Sequence, residues 1–582
     1  MSTYYTDEVN IQILIALMKH HGVRRVVASP GATNVTFVAS IQQDSFFKVY
    51  SSVDERSAAY IACGMAAETG ESVALSCTGA TASRNYLSGL TEAYYRKLPV
   101  LAVTATQHLG RIGHMVPQVI DRTSKLNDVC RMSVQCLSVH DDDDRWACEA
   151  SLNRALLELT RDGGGPVHVN LVTTYSSNFD VLALPLVHPV DRIEAGDELP
   201  SLASKKVAIY VGAHRVWDER LTVAVDAFCA AYDAVVLYDH TSNYVGAYGI
   251  FGSLVLTQTH YVPSCKLVDV LIHIGDVSGA CGGPIVRECW RVNPDGNVCD
   301  PFGKLRYVFD MREIEFFEAY VSVVDGPTTT LNSRQLNEWR SEDTKLRRKI
   351  PLLPFSNIWC AQQMAPMLPA DSVLHLGILN SLRSWDFFPV DASIRCYCNT
   401  GGFGIDGCVS SLIGASIAAP DKLFFGVMGD LATFYDLNSL GNRHVGCNIR
   451  LMVINNGVGT EFKNYNHKAA RFGTDADAFI AARGHFGNRS TKLLRHYVED
   501  LGFEYMSAFS KEELLQVSTR FMVPKMTERP MLLEVFTDSA NESDALQAML
   551  TLESNIMGTA KELVHKVIGD RGVNTIKKIL GR

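Results

Sequence analysis

The sequence predicts an α/β protein with three doubly wound parallel-sheet domains and a helical C-terminal tail. Two observations carry this prediction: short apolar strands alternate with helical patterns along most of the chain, and two segments without that alternation divide it into three units. Strands that alternate with helices are typical of parallel sheets covered by helices on both faces. A chain of 582 residues also exceeds what one hydrophobic core usually holds, so several domains are expected.

The first unit is predicted to span residues 1–181. Apolar side chains recur at helical spacing over 6–21, and the apolar run 23–28 is typical of a short buried strand. The same rhythm continues with strands at 47–50, 73–76 and 99–104, a helix over 55–69 and a long helix after residue 83. Three glycines at 163–165 precede a proline and a strand, which predicts a turn rather than a phosphate-binding loop. Four aspartates at 141–144 are expected to begin a solvated helix, because consecutive side chains do not converge on one cation.

The remaining units follow two predicted linkers. Residues 182–204 contain three prolines without apolar periodicity, and residues 324–352 are charged and expected to be partly helical. The central α/β unit is predicted at 205–323, with strands at 207–211, 234–238 and 268–274. Its first turn, 211–214, lacks the complete glycine fingerprint of a dinucleotide site. The third α/β unit is predicted at 353–545. Residues 546–582 are predicted to form an amphipathic helical tail with a basic end, which packs on its own protein or on a partner subunit rather than on a membrane.

Composition excludes several classes of protein. The net charge of −9 argues against general binding to nucleic acid, which needs a basic surface. No segment is long and apolar enough to predict a transmembrane helix, and the first residues show no signal-peptide pattern, so a cytoplasmic location is expected. The 15 cysteines are scattered and mostly embedded in apolar runs, which indicates reduced, buried thiols. Cys396 and Cys398 are too closely spaced for a zinc knuckle.

Two polar turns follow neighbouring apolar strands in the third unit. Gly429-Asp430-Leu431 follows the strand at 423–428, and Asn455-Asn456-Gly457 follows the strand at 449–454. The carboxyl ends of neighbouring parallel strands meet at the ligand-binding edge of an open sheet, so we expect the carboxylate and the carboxamide to lie together. Hard oxygen ligands suit Mg²⁺ or Ca²⁺ rather than zinc. The alternative is that these are ordinary polar turns at strand ends.

This pair of turns resembles the Gly-Asp and Asn-Asn motif of thiamine diphosphate enzymes. The resemblance implies that Asp430, Asn456 and the carbonyl of Val458 bind Mg²⁺ on the cofactor's diphosphate, and that Gly429 and Leu431 also contact the cofactor. Together with three α/β units, it implies the superfamily of decarboxylases and acetolactate synthases.

A second resemblance lies in the first unit. The run 53–60, Val-Asp-Glu-Arg-Ser-Ala-Ala-Tyr, is similar to a segment of the menaquinone-pathway succinyl-enolpyruvyl-hydroxycyclohexene-carboxylate synthases, and the segments 29–31 and 399–407 follow the same family. This implies that Glu55 binds N1′ of the cofactor's pyrimidine and favours the imino tautomer that removes the C2 proton. Such an acid needs an apolar pocket, which Ala58, Ala59 and Ala62 are expected to supply. The alternative role of Glu55 is an N-terminal acid that stabilises its helix.

The same resemblance implies the rest of the cofactor site. Ile405 corresponds to the bulky residue that holds the cofactor in a bent shape, and Gly402 and Phe403 of the same loop are expected to contact it. Because the pyrimidine and diphosphate sites lie in different units, the resemblance implies a homodimer or homotetramer with active sites between subunits.

The substrate residues depart from that family. Its members use arginines for the carboxylates of 2-oxoglutarate and isochorismate, since the guanidinium fork pairs with carboxylate. Corresponding positions here hold Thr33, Gln107 and Thr400, and only Arg383 matches an arginine; Gln118 matches an active-site glutamine. Each lost anchor removes roughly 1.5 to 3 kcal/mol, which predicts a different substrate.

Two further side chains are candidates for acid-base chemistry. Glu461 stands where the family has an aliphatic residue, and it could transfer a proton or bind a hydroxyl- or amine-bearing acceptor. Its alternative is an exposed glutamate at a helix start. His114, four residues before Gln118, is a similar candidate.

The expected function is decarboxylation of a 2-oxo acid, with thiamine diphosphate and Mg²⁺ as cofactors. Pyruvate is the expected donor, and the resulting enamine is expected to be ligated to an acceptor carbonyl, such as that of a sugar derivative. The alternatives are a simple 2-oxo acid decarboxylase, an FAD-containing enzyme similar to acetolactate synthase, a menaquinone-pathway synthase, and a non-catalytic scaffold.

Overall fold

The computed structural model describes residues 4–124, 127–280, 282–324, 333–484 and 490–557. Its strands form three sheets, and every strand pair within them is parallel. Helices flank each sheet, so the predicted α/β class with three doubly wound parallel sheets is confirmed.

The first sheet has the strand order β2-β1-β3-β4-β6-β5. Its strands are β1 Arg25–Ala28, β2 Lys48–Ser51, β3 Val73–Cys77, β4 Val100–Thr106, β5 Met132–Cys136 and β6 Val167–Val172. The helices are α1 Val9–His20, α2 Val35–Ile41, α3 Glu55–Thr69, α4 Thr81–Asn85, α5 Leu87–Tyr95 and α6 Asp142–Leu157. The long helix predicted after residue 83 is in fact two, separated at the fully buried Tyr86. Asp141 caps α6 by accepting a hydrogen bond from the Asp144 amide, in agreement with the predicted helix start.

The second sheet has the order β10-β9-β8-β11-β12-β13-β7. Its strands are β7 Asp191–Glu194, β8 Val207–Val211, β9 Val235–Tyr238, β10 Gly249–Phe251, β11 Leu267–Ile274, β12 Ile285–Asn293 and β13 Leu305–Asp310. The helices are α7 Glu219–Tyr232, α8 Ser253–Leu256, α9 Glu313–Ser322 and α10 Arg334–Arg347. The segment predicted as the first linker, 182–204, thus contributes β7, which pairs with β13 at the sheet edge.

The third sheet has the order β15-β14-β16-β17-β19-β18. Its strands are β14 Val373–Leu376, β15 Arg395–Tyr397, β16 Phe424–Gly429, β17 Ile449–Asn455, β18 Glu504–Ala508 and β19 Met531–Phe536. The helices are α11 Asn357–Met364, α12 Asn380–Trp385, α13 Cys408–Ala418, α14 Asp430–Tyr435, α15 Leu493–Asp500, α16 Lys511–Phe521 and α17 Ser539–Leu550. Gln258 of the central unit binds the end of α17 through the Met549 carbonyl at 2.8 Å. The basic end of the predicted tail lies outside the described residues.

The described cysteines are free thiols, and most are buried, as predicted. Burial raises the pKa of the Cys63 thiol to about 11, so it stays protonated at neutral pH. Within the described part of the chain, no helix is long and apolar enough to span a bilayer. The same residues contain no group of three or more histidine, cysteine, aspartate or glutamate side chains placed to bind a metal.

Candidate active site

Asp430 lies where β16 ends and α14 begins, and its side chain is buried. Oδ1 accepts a hydrogen bond from the Leu431 amide at 2.9 Å, and Oδ2 accepts one from the Gly457 amide at 2.9 Å. The two turns meet because β16 and β17 are neighbours whose register pairs Gly429 with Ile454. The structure therefore brings together the two polar turns that the sequence singled out.

The oxygen atoms of these two turns fit a hard divalent cation. Burial raises the pKa of Asp430 to about 6, because the carboxylate has lost most of its hydration. The side-chain oxygen of Asn456 lies in the same turn and accepts from the Val458 amide at 3.4 Å. A carboxylate, a carboxamide and the Val458 carbonyl form an oxygen donor set of the kind that Mg²⁺ prefers. A cation at this position would also offset the cost of burying the Asp430 charge.

Glu534, on β19, stabilises the turn at Asn455-Asn456-Gly457. It is 1% exposed, and its two oxygens accept hydrogen bonds from Asn455 Nδ2 at 2.7 Å and from the Tyr505 hydroxyl at 2.8 Å. Because Asn455 directly precedes Asn456, these bonds hold the turn in place. Glu534 was not found from the sequence, because it lies about 80 residues further along the chain and carries no motif.

The loop at 399–407 connects β15 to α13 at the same carboxyl edge of the sheet. Gly402 and Phe403 are exposed, and Phe403 has a positive φ of 54°. Ile405 is partly buried and packs against the core. The three predicted cofactor residues of this loop therefore lie on the edge that also carries Asp430 and Asn456.

Arg383 and Glu461 are directly paired at this edge. Arg383 Nη1 lies 2.7 Å from Glu461 Oε1. With its amide oriented to satisfy both groups, Asn380 donates to Glu461 Oε2 at 2.8 Å and accepts from the Glu461 amide at 2.8 Å. Glu461 also lies in the first turn of the short 3₁₀ helix Thr460–Lys463. Its carboxylate is thus held by charge and hydrogen bonds, in contrast to a free glutamate at a helix start.

A cavity of about 220 Å³ opens beside this pair and contains two acids that the sequence did not suggest. Glu542 accepts a hydrogen bond from the Asn357 amide at 3.0 Å, and burial raises its pKa to about 7. Asp386 is 1% exposed, and burial raises its pKa well above the usual range. Its Oδ2 has no hydrogen-bond partner. The cavity is therefore lined by three acids, by His467 and by Arg383. Arg383 is paired with Glu461 through Nη1, whereas its Nε has no hydrogen-bond partner.

Glu55 is the first residue of α3, and Asp54 caps that helix by accepting from the Ser57 amide at 3.1 Å. Glu55 Oε2 accepts a hydrogen bond from Asn85 Nδ2 at 3.0 Å. The expected apolar pocket around Glu55 is not formed within one chain. Ala58, Ala59 and Ala62 are buried beneath the helix instead, since they face the sheet, and Glu55 is only partly buried.

The other predicted substrate residues are distributed over two units. Thr33 is buried, with its hydroxyl 2.5 Å from the Thr78 hydroxyl. Gln107 donates to the Tyr175 hydroxyl at 3.1 Å and is also bonded to Arg111. Thr33 and Gln107 thus form bonds within the first unit.

Thr400 is also buried, and it packs at the boundary with the central unit, because a Cβ at Gly279 would lie 3.3 Å from its methyl group. His114 and Gln118 are exposed on the connection between β4 and β5. Gln118 has a positive φ of 63°. Within one chain, His114, Gln118 and Glu55 belong to the first unit, whereas Asp430 and Glu461 belong to the third.

Comparison with known proteins identifies the family. Residues 11–125 match the family described as thiamine pyrophosphate enzyme, N-terminal TPP binding domain. The 2-succinyl-5-enolpyruvyl-6-hydroxy-3-cyclohexene-1-carboxylate synthase of Phocaeicola vulgatus is 30% identical over 577 residues, which cover 93% of this chain and 98% of the relative. The synthase of the same name from Bacteroides fragilis is 29% identical, and that from Bacteroides thetaiotaomicron 28% identical, with the same coverage of 93% and 98%. The chain belongs to this family of synthases.

Membership of the synthase family confirms the predicted type of enzyme. The protein is a thiamine diphosphate-dependent enzyme of the decarboxylase and carboligase type. The turns at Gly429-Asp430 and Asn455-Gly457 offer oxygen donors that fit a divalent cation, and residues 11–125, in the first unit, match the cofactor-binding family domain.

Proposed function

We propose that this enzyme decarboxylates pyruvate and joins the remaining fragment to the carbonyl of a polar acceptor such as a sugar derivative. The observation that carries the proposal is the ion pair between Arg383 and Glu461, with a distance of 2.7 Å between Nη1 and Oε1. An arginine that is already balanced by a carboxylate offers little net charge to the second carboxylate of a substrate. A donor with a single carboxylate, such as pyruvate, suits this site better than 2-oxoglutarate.

The acceptor class follows from the cavity beside the pair. Glu461, Asp386 and Glu542 present acceptor oxygens, and Asn380 and Asn464 add amide groups. Hydroxyl or amine groups can donate to such a lining, whereas a tricarboxylate anion would meet like charge or acids that must stay protonated. This supports a polyhydroxylated or amine-bearing acceptor.

The cofactor residues have separate tasks in this proposal. Asp430, Asn456 and the Val458 carbonyl hold Mg²⁺, and Gly429, Leu431 and the loop with Gly402, Phe403 and Ile405 hold and shape the cofactor. Thiamine diphosphate, when bound, supplies a nucleophilic carbon for the 2-oxo group and stabilises the charge left by the loss of CO₂. Glu55 holds a proton against the pyrimidine nitrogen.

Other side chains handle the substrates. In this proposal Glu461 exchanges a proton with the acceptor oxygen, and its bond to Arg383 at 2.7 Å supports a fixed orientation of the carboxylate. Gln118 and His114 contact the donor, and Thr33, Gln107 and Thr400 shape its pocket without adding positive charge.

The complete site is proposed to form between two subunits of a homodimer or homotetramer. Glu55 and Asp430 lie in different units. Val53, just before α3, is 80% exposed, and Tyr60, on α3, is 48% exposed. Large exposed apolar side chains beside a catalytic acid suit burial against a second copy of the chain. Such burial would also create the apolar surroundings that Glu55 lacks in a single chain.

An FAD site in the central unit has less support than this proposal. Asp239 follows β9, where an acid binds the ribose of a dinucleotide in related sheets. Its Oδ1 accepts from the Thr241 amide at 2.7 Å, and its Oδ2 accepts from the Ser278 hydroxyl at 2.8 Å. Both oxygens of the Asp239 carboxylate therefore already accept hydrogen bonds within the protein. The alternative with more support is the synthase reaction named for the relatives, with 2-oxoglutarate as donor.

The deciding experiment measures CO₂ release by the purified enzyme with thiamine diphosphate and Mg²⁺. Pyruvate and 2-oxoglutarate are compared at equal concentration, each with and without a hydroxyaldehyde or isochorismate as acceptor, and ligated products are identified by mass spectrometry. We expect faster release from pyruvate and a product with the hydroxyaldehyde. Faster release from 2-oxoglutarate, or a product with isochorismate alone, contradicts the proposal. The Glu55→Gln variant serves as the inactive control, and a yellow protein would indicate FAD.

A further inference from the structure

A second cavity, of about 250 Å³, lies within the first unit. It is bounded by α4, α5, β4, β6 and the connection that follows Gln118. Its polar lining includes Arg84, Arg122, Thr104, His168 and Ser83. None of the residues with a role in the proposed reaction lines this cavity.

Arg122 is buried there with unused donors. Its side chain is 3% exposed, and Nη2 donates to the Ala105 carbonyl at 3.1 Å. Nε and Nη1 have no hydrogen-bond partner, and Arg122 forms no ion pair with another described residue. Burial lowers the pKa of Arg122 only to about 10, so the guanidinium is charged at neutral pH. A buried, charged group without a counter-charge is costly, and a bound anion would offset that cost.

A second guanidinium adds to the positive potential of the cavity. Arg84 lines the same space and donates from Nη2 to the Asp121 carbonyl at 2.9 Å. Among the described residues of the lining, the one acidic side chain is that of Asp121. Its Oδ1 accepts hydrogen bonds from the amide and the hydroxyl of Thr123, at 2.9 and 2.6 Å. The hydrogen bonds of the Asp121 carboxylate therefore come from Thr123 and not from the Arg122 guanidinium.

The remaining polar groups are neutral. His168 bonds the Thr104 hydroxyl at 2.7 Å and the Ser133 hydroxyl at 2.8 Å. Burial, together with the charges of Arg122 and Arg84, lowers the pKa of His168 to about 3. The cavity thus combines two guanidinium charges and the single carboxylate of Asp121 with neutral hydroxyl and imidazole groups, and the excess of positive charge suits a carboxylate or a phosphate.

We infer that this cavity, here called the Arg122 cavity, is a binding site for a small oxyanion, either a carboxylate or a phosphate. The site is connected to the predicted substrate residues through one carbonyl. Ala105 O accepts from Arg122 Nη2 at 3.1 Å and from the Thr33 hydroxyl at 3.2 Å. An anion that binds the Arg122 guanidinium therefore changes the hydrogen bond from Arg122 to the Ala105 carbonyl. Because Thr33 donates to the same carbonyl, the position of Thr33 changes with it.

The test uses the enzyme saturated with thiamine diphosphate and Mg²⁺, so that the diphosphate site is already filled. The melting temperature is followed as inorganic phosphate, or acetate in a second series, replaces chloride at constant ionic strength. A ligand that binds the folded state raises the melting temperature in a saturable way. We expect this rise in the wild type, and the series with the lower half-saturation concentration distinguishes phosphate from carboxylate.

Matched variants assign the effect to the cavity. Arg122→Met removes the charge but keeps an apolar stem. We expect the variant to bind the anion at least about tenfold more weakly than the wild type, because a charged hydrogen-bond donor is lost. Arg154→Gln removes an exposed charge of the same unit and is expected to bind like the wild type. If Arg122→Met does not fold, Arg84→Gln, on the exposed side of the cavity, tests the same expectation. The inference is overturned if neither anion stabilises the wild type, or if the folded cavity variant responds as strongly as Arg154→Gln.

Discussion

The guanidinium of Arg383 and the carboxylate of Glu461 form an ion pair, with 2.7 Å between Nη1 and Oε1. Arg383 lies on α12, which follows β14, and Glu461 follows β17, so the pair joins two connections at one edge of the third sheet. Asn380 holds the same carboxylate from its other side. A basic residue that could bind a substrate carboxylate is therefore neutralised by the protein itself.

This pair predicts the effect of removing the acid. Glu461→Gln keeps the shape of the side chain but frees the charge of Arg383, so we expect the ratio of kcat/KM for 2-oxoglutarate to that for pyruvate to rise about tenfold. Steady-state CO₂ release with both donors measures the ratio. The double variant Arg383→Gln with Glu461→Gln is the control and should lose the gain. A gain that persists in the double variant would show that Arg383 is not its cause.

Glu55 and Asp430 predict complementation between subunits. We expect Glu55→Gln to bind thiamine diphosphate but not to exchange the C2 proton, and Asp430→Asn to lose metal-dependent cofactor binding. Neither variant is expected to be active alone. If sites form between two subunits, an equimolar mixture after subunit exchange should recover about a quarter of wild-type activity, because half of the dimers are mixed and each has one intact site.

The readouts of this complementation are deuterium exchange at C2 by NMR and CO₂ release before and after mixing. The Asn85→Ala variant is a matched control, because it removes the 3.0 Å bond to Glu55 and keeps the carboxylate; exchange should be slowed but present. Unimpaired C2 exchange in Glu55→Gln refutes its role as activator. Absence of any recovery in a mixture that is shown to exchange subunits argues against a shared site.

Asp430 predicts a pH dependence of metal binding. Burial places its pKa near 6 rather than at 3.8, and a proton on the carboxylate competes with Mg²⁺. The ionised form binds the metal, so the apparent affinity should be constant above pH 7 and fall by about tenfold for each pH unit below 6. Titration of the apoenzyme with Mg²⁺ at fixed thiamine diphosphate, followed by tryptophan fluorescence, measures this. An affinity that stays constant down to pH 5 would contradict the shifted pKa.

Glu542 predicts a pH-dependent stability. Its pKa is raised from 4.5 to about 7, so the stabilising contribution of the protonated acid is complete below pH 4.5 and is lost as the pH rises through 7. At pH 8 the loss is about 3 kcal/mol, and Glu542→Gln should avoid it. We expect the variant to melt above the wild type at pH 8 and close to it at pH 4.5. Glu512→Gln, an exposed change on α16, should show no such pH-dependent difference. An equal difference at both pH values would refute the expectation.

Predictions from the sequence were correct where they depended on a local pattern or on the general geometry of a parallel sheet. The helix predicted over 55–69 is α3, which Asp54 caps and Gly70 ends, and the strand predicted over 207–211 is β8, a continuous apolar run in which every residue is buried. Asp430 and the Asn456 turn meet because neighbouring parallel strands deliver their carboxyl ends to one edge.

Other features were not predictable from local pattern. Strand β7 lies in a segment rich in proline, and it is a strand only because the edge of β13 offers it backbone partners. The helix after residue 83 is divided at Tyr86, whose side chain is fully buried. The apolar pocket expected around Glu55 is not formed within one chain, because the alanines of α3 face their own sheet.

By itself, the sequence determined the three parallel α/β units, the synthase family and the edge that carries Asp430 and Asn456, because these depend on periodicity and on short motifs. Only the tertiary structure decided that Arg383 is paired with Glu461, that Glu542 and Asp386 line the neighbouring cavity, and that Arg122 is buried with unused donors. The charge that a substrate meets depends on distances between segments far apart in the chain. Those distances are set by packing, and no local pattern encodes them.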